Sequence, residues 1–149
     1  MAISGSGLYV VTFRDALDTT QLALDLDLET HKLALFTNTI TPNYTTDTAY
    51  AVAPYDANEV SGTGWAAGGV ALLGTGLTAS AGIITYDATD VSESATTLTN
   101  ARGALLYADA LVGNNAILLV DFGADYSTTA GVFAIAWNAS GVFTIDMVP

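Results

Sequence analysis

Cysteine is absent from this chain of 149 residues, which excludes disulfides and thiolate metal sites. Cations are scarce as well, since Lys and Arg total 3 against 15 Asp and Glu, and the net charge is -12. Binding to nucleic acid needs cations that displace counterions from phosphates, and an anionic membrane surface repels an acidic chain. We therefore expect neither nucleic acid nor a membrane among its partners.

Catalytic motifs are equally scarce. His31 is the single histidine, so a Ser-His-Asp triad would have to use it, and the sequence has no GxSxG elbow. Residues 62–67 fit the GxGxxA form of a dinucleotide-binding loop, but the Gly- and Thr-rich sequence after them disfavours the helix that such a loop requires. A structural turn is the better interpretation. We predict no catalytic residue, no cofactor and no enzymatic activity.

Charge is sparse overall, at 12% of residues against 51% hydrophobic residues and a mean hydropathy of +0.44. Small soluble domains usually carry more surface charge, so we expect other chains to cover part of this surface. The uncharged stretch 60–86 contains seven glycines and lacks the run of about 20 apolar residues that a membrane helix needs. The length fits one domain, and we predict a single β-rich domain over residues 1–149.

Short apolar runs separated by Gly, Asn and Asp dominate the second half of the chain and are typical of strands. The last two runs, VFAIAW and VFTIDM, flank the turn sequence NASG and predict a C-terminal hairpin. Many short strands at this spacing predict an all-β fold, an antiparallel β-sandwich or a jelly-roll-like barrel. The predicted strands lie near 70–73, 82–87, 96–99, 103–109, 116–122, 131–138 and 142–148.

The N-terminal residues 1–20 form a predicted arm with a short helix. Tyr9, Phe13 and Leu17 recur at helical spacing, although the run GLYVVTF also fits a strand. Residues 22–28, LALDLDL, alternate as in a half-buried strand, a pattern that a Leu-rich helix also tolerates.

Three acidic residues follow that alternation, namely Asp25, Asp27 and Glu29. Clustered carboxylates can hold Ca²⁺, so these residues are weak candidates for a metal site. The alternative is a solvated acidic face without a metal, which is the commoner role of such clusters and our preferred interpretation.

A polar segment at 41–62 is the predicted contact loop. A structureless loop of about twenty residues is unusual in a compact domain and often contacts a partner, and tyrosine is favoured at interfaces. The alternative is that the rings of this loop cap the edge of the core. The predicted partner contacts are the tyrosines of the loop, the aromatic residue of the arm and a nearby tryptophan: Tyr44, Tyr50, Tyr55, Tyr9 and Trp65.

The hydrophobic core is predicted from the apolar face of each strand. Large aliphatic and aromatic residues at alternate positions of the predicted strands are its members. They are Leu24, Leu33, Leu35, Ile84, Leu106, Leu118, Val120, Phe122, Phe133, Ile135, Trp137, Phe143 and Ile145.

Four stretches together resemble a family of small virion proteins of tailed bacteriophages. They are ETHKLALFTNTITPN (29–43), NEVSGTGWAAGG (58–69), LVDFGADYSTTAG (119–131) and VFAIAWNASGVFTI (132–145). The likeness covers residues 8–146, and the EVSGTGWAAGG segment is its most specific part. The resemblance implies a β-rich structural protein without catalytic residues, a capsid decoration or cement protein that is made in the bacterial host cytoplasm and located on the virion surface.

The implied partners are the major capsid protein and further copies of the chain, as a homo-oligomer. Many weak contacts on a lattice would replace strong binding at one site. Two alternatives stay open at this point. One is a structural component of the phage tail, and the other is a β-sandwich module that binds calcium or carbohydrate.

Overall fold

The computed structural model describes residues 2–148, and these residues form two antiparallel sheets and one short helix. Met1 and Pro149, the ends of the predicted 1–149 domain, lie outside the described residues. The predicted fold class, mainly β with a short N-terminal helix and a sandwich-like arrangement, is confirmed. In chain order the elements are β1 (Gly7–Leu8), α1 (Val10–Leu17), β2 (His31–Phe36), β3 (Glu59–Val60), β4 (Val70–Leu72), β5 (Gly76–Ser80), β6 (Ile83–Asp87), β7 (Val91–Tyr107), β8 (Ala116–Ile135) and β9 (Phe143–Asp146).

The larger sheet has the order β1-β8-β7-β2-β3, with β4 also paired to β2. Successive side chains of a strand point to opposite faces. Leu33 and Leu35 of β2 accordingly belong to one buried cluster, the main core, whereas Ala34 and Phe36 belong to another, the second core. Both faces of this sheet are therefore covered.

The smaller sheet, β5-β6-β9, closes the main core. Tyr86 of β6 is fully buried in that core, and its ring lies 5.1 Å from the ring of Phe143 on β9. Phe13 of α1 meets Phe143 edge to face at 6.0 Å. The main core thus lies between two sheets, as in a β-sandwich.

Strands β7 and β8 form one long hairpin that bends. The sequence predicts two strands in each, whereas the structure joins 96–99 to 103–109 and 116–122 to 131–138. The ladder shifts register four times between Glu93 and Gly103. Residues with positive φ lie at these irregular positions, namely Ala95, Asn100, Gly123 and Ala130.

The bend folds β8 back on itself. The rings of Phe122 and Phe133 lie 5.9 Å apart although the two residues are eleven positions apart in the sequence. A straight strand of that length would span about 36 Å. β8 therefore has a first limb, residues 116–122, and a second limb, residues 131–135, which both pair with β7 and whose aromatic side chains meet.

The predicted C-terminal hairpin is wrong, although its turn is present. The N–H of Gly141 donates to the carbonyl of Asn138 at 2.8 Å, but β9 then pairs with β6. Gly141 has φ +100, and a Cβ there would lie 2.6 Å from the carbonyl oxygen of Tyr86. This close approach lets Val142 donate to Tyr86 at 2.8 Å, which directs the chain into the smaller sheet.

The predicted strand or helix at 22–28 is also wrong, because this segment is irregular and ends in a turn. The Asp25 carboxylate accepts the N–H groups of Asp27 at 3.2 Å and Leu28 at 3.1 Å. Such local bonds compete with a strand ladder for the backbone donors. Leu24 and Leu26 still pack against the main core, whereas Leu28 is 84% exposed.

The helix of the N-terminal arm is confirmed as α1, but its apolar stripe is shorter than predicted. Tyr9 is buried and Phe13 packs on the main core, whereas Leu17 is 89% exposed. Of the predicted core residues, six are buried and five are partly buried against the main core. The six are Leu33, Leu35, Leu106, Leu118, Phe133 and Ile135, and the five are Leu24, Val120, Phe122, Trp137 and Phe143. The core prediction is wrong for Ile84 and Ile145, which are partly buried in the smaller sheet but belong to neither core.

Candidate partner-binding surface

Two of the predicted partner tyrosines are instead internal. Tyr9 and Tyr55 are buried in the second core, their hydroxyls share a hydrogen bond, and their rings meet edge to face at 6.0 Å. Phe36 packs against Tyr55 at 5.2 Å. Burial raises the pKa of both tyrosines far above the ordinary value. Both hydroxyls therefore stay neutral, so either one can donate the hydrogen bond to the other. The partner role of Tyr9 and Tyr55 is therefore wrong: burial of aromatic surface holds them inside.

Tyr50 belongs to the same covered face but is only partly buried. Its ring stacks on Tyr107 at 4.4 Å, and its hydroxyl donates to Glu59 Oε2 at 2.8 Å. Glu59 Oε1 accepts the N–H of Gly68 at 2.6 Å, and the carbonyl of Gly68 accepts the Tyr107 hydroxyl at 2.7 Å. Burial raises the pKa of Tyr50 to about 12, and the hydrogen bond to Glu59 is the second cause of this rise. These bonds tie the loop to the sheet.

The predicted contact loop 41–62 therefore lies on the second core, and its rings cap the core edge as the alternative interpretation had it. Tyr44 stands at the margin, 5.3 Å from the Tyr9 ring, with its hydroxyl bonded to the carbonyl of Gly5. Tyr44 and Tyr50 keep part of their surface exposed. A partner role for these two residues stays a prediction.

Trp65, the fifth predicted partner residue, is buried in the main core and meets Phe133 edge to face at 5.5 Å. It ends a tight turn in which Gly62 and Trp65 exchange backbone hydrogen bonds of 2.8 and 3.1 Å. A Cβ at Gly62 would lie 2.2 Å from the carbonyl oxygen of Thr97, so the turn requires glycine. The chain continues into β4 and not into a helix. The glycine-rich segment is a packing turn, and the partner role of Trp65 is wrong.

Two of the weak metal candidates, Asp25 and Glu29, use their carboxylates as hydrogen-bond acceptors within the turn around 25–29. Asp25 accepts two backbone N–H groups, and Glu29 Oε2 accepts the N–H of Asp25 at 3.2 Å. The N–H of Leu28 is the main cause that lowers the pKa of Asp25, and a hydrogen bond to Asp25 raises that of Asp27. Within residues 2–148, no three metal-ligating side chains are grouped closely enough to hold an ion.

His31 is buried at the start of β2. Its Nε2 lies 2.9 Å from the carbonyl oxygen of Asp25, and its ring meets Tyr86 edge to face at 6.4 Å. Burial lowers its pKa, so the ring is neutral at pH 7. A histidine enclosed in this way has no access to a substrate.

The sequence patterns did not indicate an apolar cleft that lies between the two limbs of β8. The cleft has a volume of about 560 Å³. Four of its lining residues were predicted to belong to the core, and three of them are partly exposed while Phe133 is buried: Val120, Phe122, Phe133 and Trp137. The β8 cleft is formed chiefly by Val120, Phe122, Tyr126, Val132, Phe133 and Trp137.

Trp137 is fixed at one end of the β8 cleft. Its backbone N–H donates to Asp90 Oδ1 at 2.8 Å, and its indole N–H donates to the carbonyl of Thr89 at 3.1 Å. Phe133 and Ile135 beneath it are buried members of the main core. The cleft is thus the open end of the main core.

One edge of β8 is also free. β7 pairs with β8 along most of its length, but on the opposite edge β1 pairs only with Leu118 and Leu119. From Asp121 to Ile135, no strand of the described part pairs with that edge. Unpaired backbone groups at a sheet edge are a template for another strand.

The charges around the β8 cleft are mostly negative. At the bend, Arg102 pairs with Asp121 at 2.8 Å and approaches Asp125 at 3.9 Å. Burial acts to raise the pKa of Asp121, but the N–H of Gly123 and the Arg102 guanidinium hold it below its usual range. The other cations are engaged elsewhere, Arg14 with Asp15 at 2.6 Å and Lys32 with Asp109 at 3.1 Å.

No family model matches this chain, and comparisons with curated proteins and with solved structures gave no match either. The one helix of the described residues, α1, is too short to cross a bilayer. The functional interpretation therefore depends on the surface chemistry of the molecule itself.

Proposed function

We propose that this chain is a non-enzymatic structural protein of a tailed bacteriophage virion, which decorates the capsid by binding the lattice of the major capsid protein. The observation that carries the proposal is the exposure of apolar side chains at two separate places on a surface with few charges. One place is the β8 cleft, and the other is a pair of linked loops that expose three leucines, Leu28, Leu73 and Leu77, here called the leucine patch.

The leucine patch joins two loops. Leu28 is 84% and Leu73 67% exposed, and the hydroxyl of Thr75 donates to the carbonyl of Asp27 at 2.9 Å, which holds the loops together. Leu77 lines a shallow hollow beside the same segment. Exposed apolar surface that is gathered in one place indicates contact with another molecule.

Two apolar surfaces without common residues suit a subunit that touches more than one neighbour. On a lattice, contacts that are weak individually add up because the copies are held together. The acidic excess of the chain would complement a basic patch on the shell and would steer the encounter. The enclosed, neutral His31 agrees with a role that needs no acid-base catalysis.

The test is the protein content of washed particles of the phage that encodes this chain. We expect the chain in a fixed ratio to the major capsid protein, with gold-labelled antibody over the head. Absence from washed particles would refute a virion role. Label confined to the tail would replace the decoration role by the tail alternative.

A further inference from the structure

The β8 cleft resembles the core of a β-sandwich from which one covering strand is missing. Phe133 and Ile135 are buried at its floor, Phe122 and Trp137 are partly exposed at its walls, and Val132 is 61% exposed at its rim. In a closed sandwich, a neighbouring strand covers such residues. Here the place of that strand is open.

The free edge of β8 sets the shape of an occupant. Because β8 bends, an extended segment can follow one limb only, and near the bend the N–H groups of Asp121 and Gly123 are already bonded to side chains. Along the second limb, residues 131–135, such a segment can hydrogen-bond to the backbone groups that β7 does not use. Alternate side chains of a strand point to one face, so every second residue of the segment would meet the apolar wall. The site therefore fits an extended segment with apolar residues at alternate positions.

The charges at both ends of the cleft determine which sign of charge a partner must carry. Asp90 holds Trp137 at one end, and Glu93 lies opposite Phe133 in the β7–β8 ladder. Asp121 and Asp125 share a single cation, Arg102, at the other end. The side chains that line the cleft are uncharged, so its rims carry a negative excess. Complementarity requires Lys or Arg on both flanks of the segment.

A second copy of this chain fits these rims poorly. Its three cations are Arg14, Lys32 and Arg102, and each is paired with a carboxylate of its own chain. Each copy also carries a net charge of -12. Pairing β8 with β8 of another copy would bring like charges together.

We infer that the β8 cleft binds an extended segment of a partner protein, apolar at alternate positions and flanked by Lys or Arg, which adds to the free edge of β8 as a further strand. The identification of this partner as the shell protein rests on the proposed function, whereas the site and the chemistry of the segment do not.

The direct test uses the full chain and a synthetic peptide in which Val alternates with Thr and Lys stands at both ends. Trp137 lies in the cleft and Trp65 is buried. Acrylamide, a quencher of tryptophan fluorescence, will therefore quench the emission of Trp137 more strongly than that of Trp65. We expect the peptide to protect Trp137 from the quencher, and the same peptide with Glu in place of Lys to protect it less.

A pair of matched variants locates the site. Val132→Lys puts a cation at the rim, whereas Val112→Lys makes the same change at a fully exposed valine in the loop between β7 and β8. We expect Val132→Lys to weaken peptide binding about tenfold or more, which corresponds to about 1.4 kcal/mol, and Val112→Lys to leave it unchanged.

Three results would overturn the inference: no protection by the Lys-flanked peptide, equal binding by Val132→Lys, or protection that rises with protein concentration alone, which would place a second copy in the cleft. Binding to purified shells separates this inference from the proposed function. If the wild-type chain and Val132→Lys bind shells equally well, the cleft is not the contact with the shell, and the proposed function stands. If the wild-type chain binds peptide but no shell, the function fails and the cleft stands.

Discussion

The second core and the β8 cleft use similar aromatic residues with opposite outcomes. On the second core, the loop 41–62 covers the sheet, and the hydroxyl of Tyr50 finds a carboxylate in Glu59. At the cleft, Phe122 and Trp137 form the walls of the main core but no segment of the described residues covers them. One aromatic surface is covered by the chain itself, and the other stays partly exposed.

The difference between the second core and the β8 cleft shows that aromatic residues in a polar loop do not by themselves indicate a binding surface. What separates the two regions is whether another segment of the chain covers the aromatic residues and whether the backbone edge beside them is paired. The comparison predicts that changes at the second core reduce folding stability, whereas changes at the cleft reduce binding.

The largest expected effect is at the second core. Tyr9→Ala removes a buried ring that contacts Tyr44 and Tyr55, and it should lower the free energy of unfolding by about 3–5 kcal/mol. Urea denaturation followed by circular dichroism measures it. Val10→Ala, at the neighbouring exposed residue, is the control and should change little. A small effect of Tyr9→Ala would mean that this cluster is not a core.

A smaller effect is expected where the loop is tied to the sheet. Glu59→Gln weakens the two hydrogen bonds from Tyr50 and Gly68 and should cost about 1–3 kcal/mol of stability. Asp56→Asn makes the same chemical change at an exposed residue of the same loop and serves as the control. Equal melting temperatures for both variants would contradict the account of the loop.

Acidification should destabilise the protein through His31. Burial lowers its pKa in the folded state below 6.5, so the unfolded chain binds a proton at pH values where the folded chain does not. Stability is then complete above about pH 6.5 and declines as the pH falls, by at most about 1.4 kcal/mol per pH unit for one proton. His31→Phe should remove this slope between pH 7 and pH 5, as urea midpoints would report. An unchanged slope would mean that other groups cause it.

The smallest effect on folding is expected at the cleft. Val132 is exposed, so Val132→Lys should change the free energy of unfolding by less than about 0.5 kcal/mol. Thermal melting of this variant beside Val112→Lys measures the difference. A large loss of stability would mean that the rim of the cleft is part of the folded core and is not a free surface.

Local patterns predicted the parts of the fold that local chemistry decides. The strands at 70–73 and 82–87 were predictable because a glycine bounds each of these apolar runs, Gly74 after the first and Gly82 before the second, and they appear as β4 and β6. The helical spacing of Tyr9 and Phe13 predicted α1 in the same way. The N-terminal half was harder: the alternation at 22–28 resembles a strand, but Asp25 bonds to backbone N–H groups of its own turn.

The candidate site could not be predicted because the bend of β8 creates it. Ala95 and Ala130 take positive φ at the bend, and alanine carries no turn signal in a sequence. Phe122 and Phe133 were correctly placed in the core, but nothing in their spacing indicates that they face each other across an opening. The partner prediction failed at Tyr9, Tyr55 and Trp65 because residue type alone cannot separate interface aromatics from core aromatics.

A cryo-EM map of the virion in which we propose that this chain resides tests the central claim most directly. The account predicts the chain on the shell, with an extended segment of another protein paired to the second limb of β8 and basic side chains near Asp90 and Asp125. A shell without the chain, or a bound chain whose β8 cleft faces solvent, would contradict it.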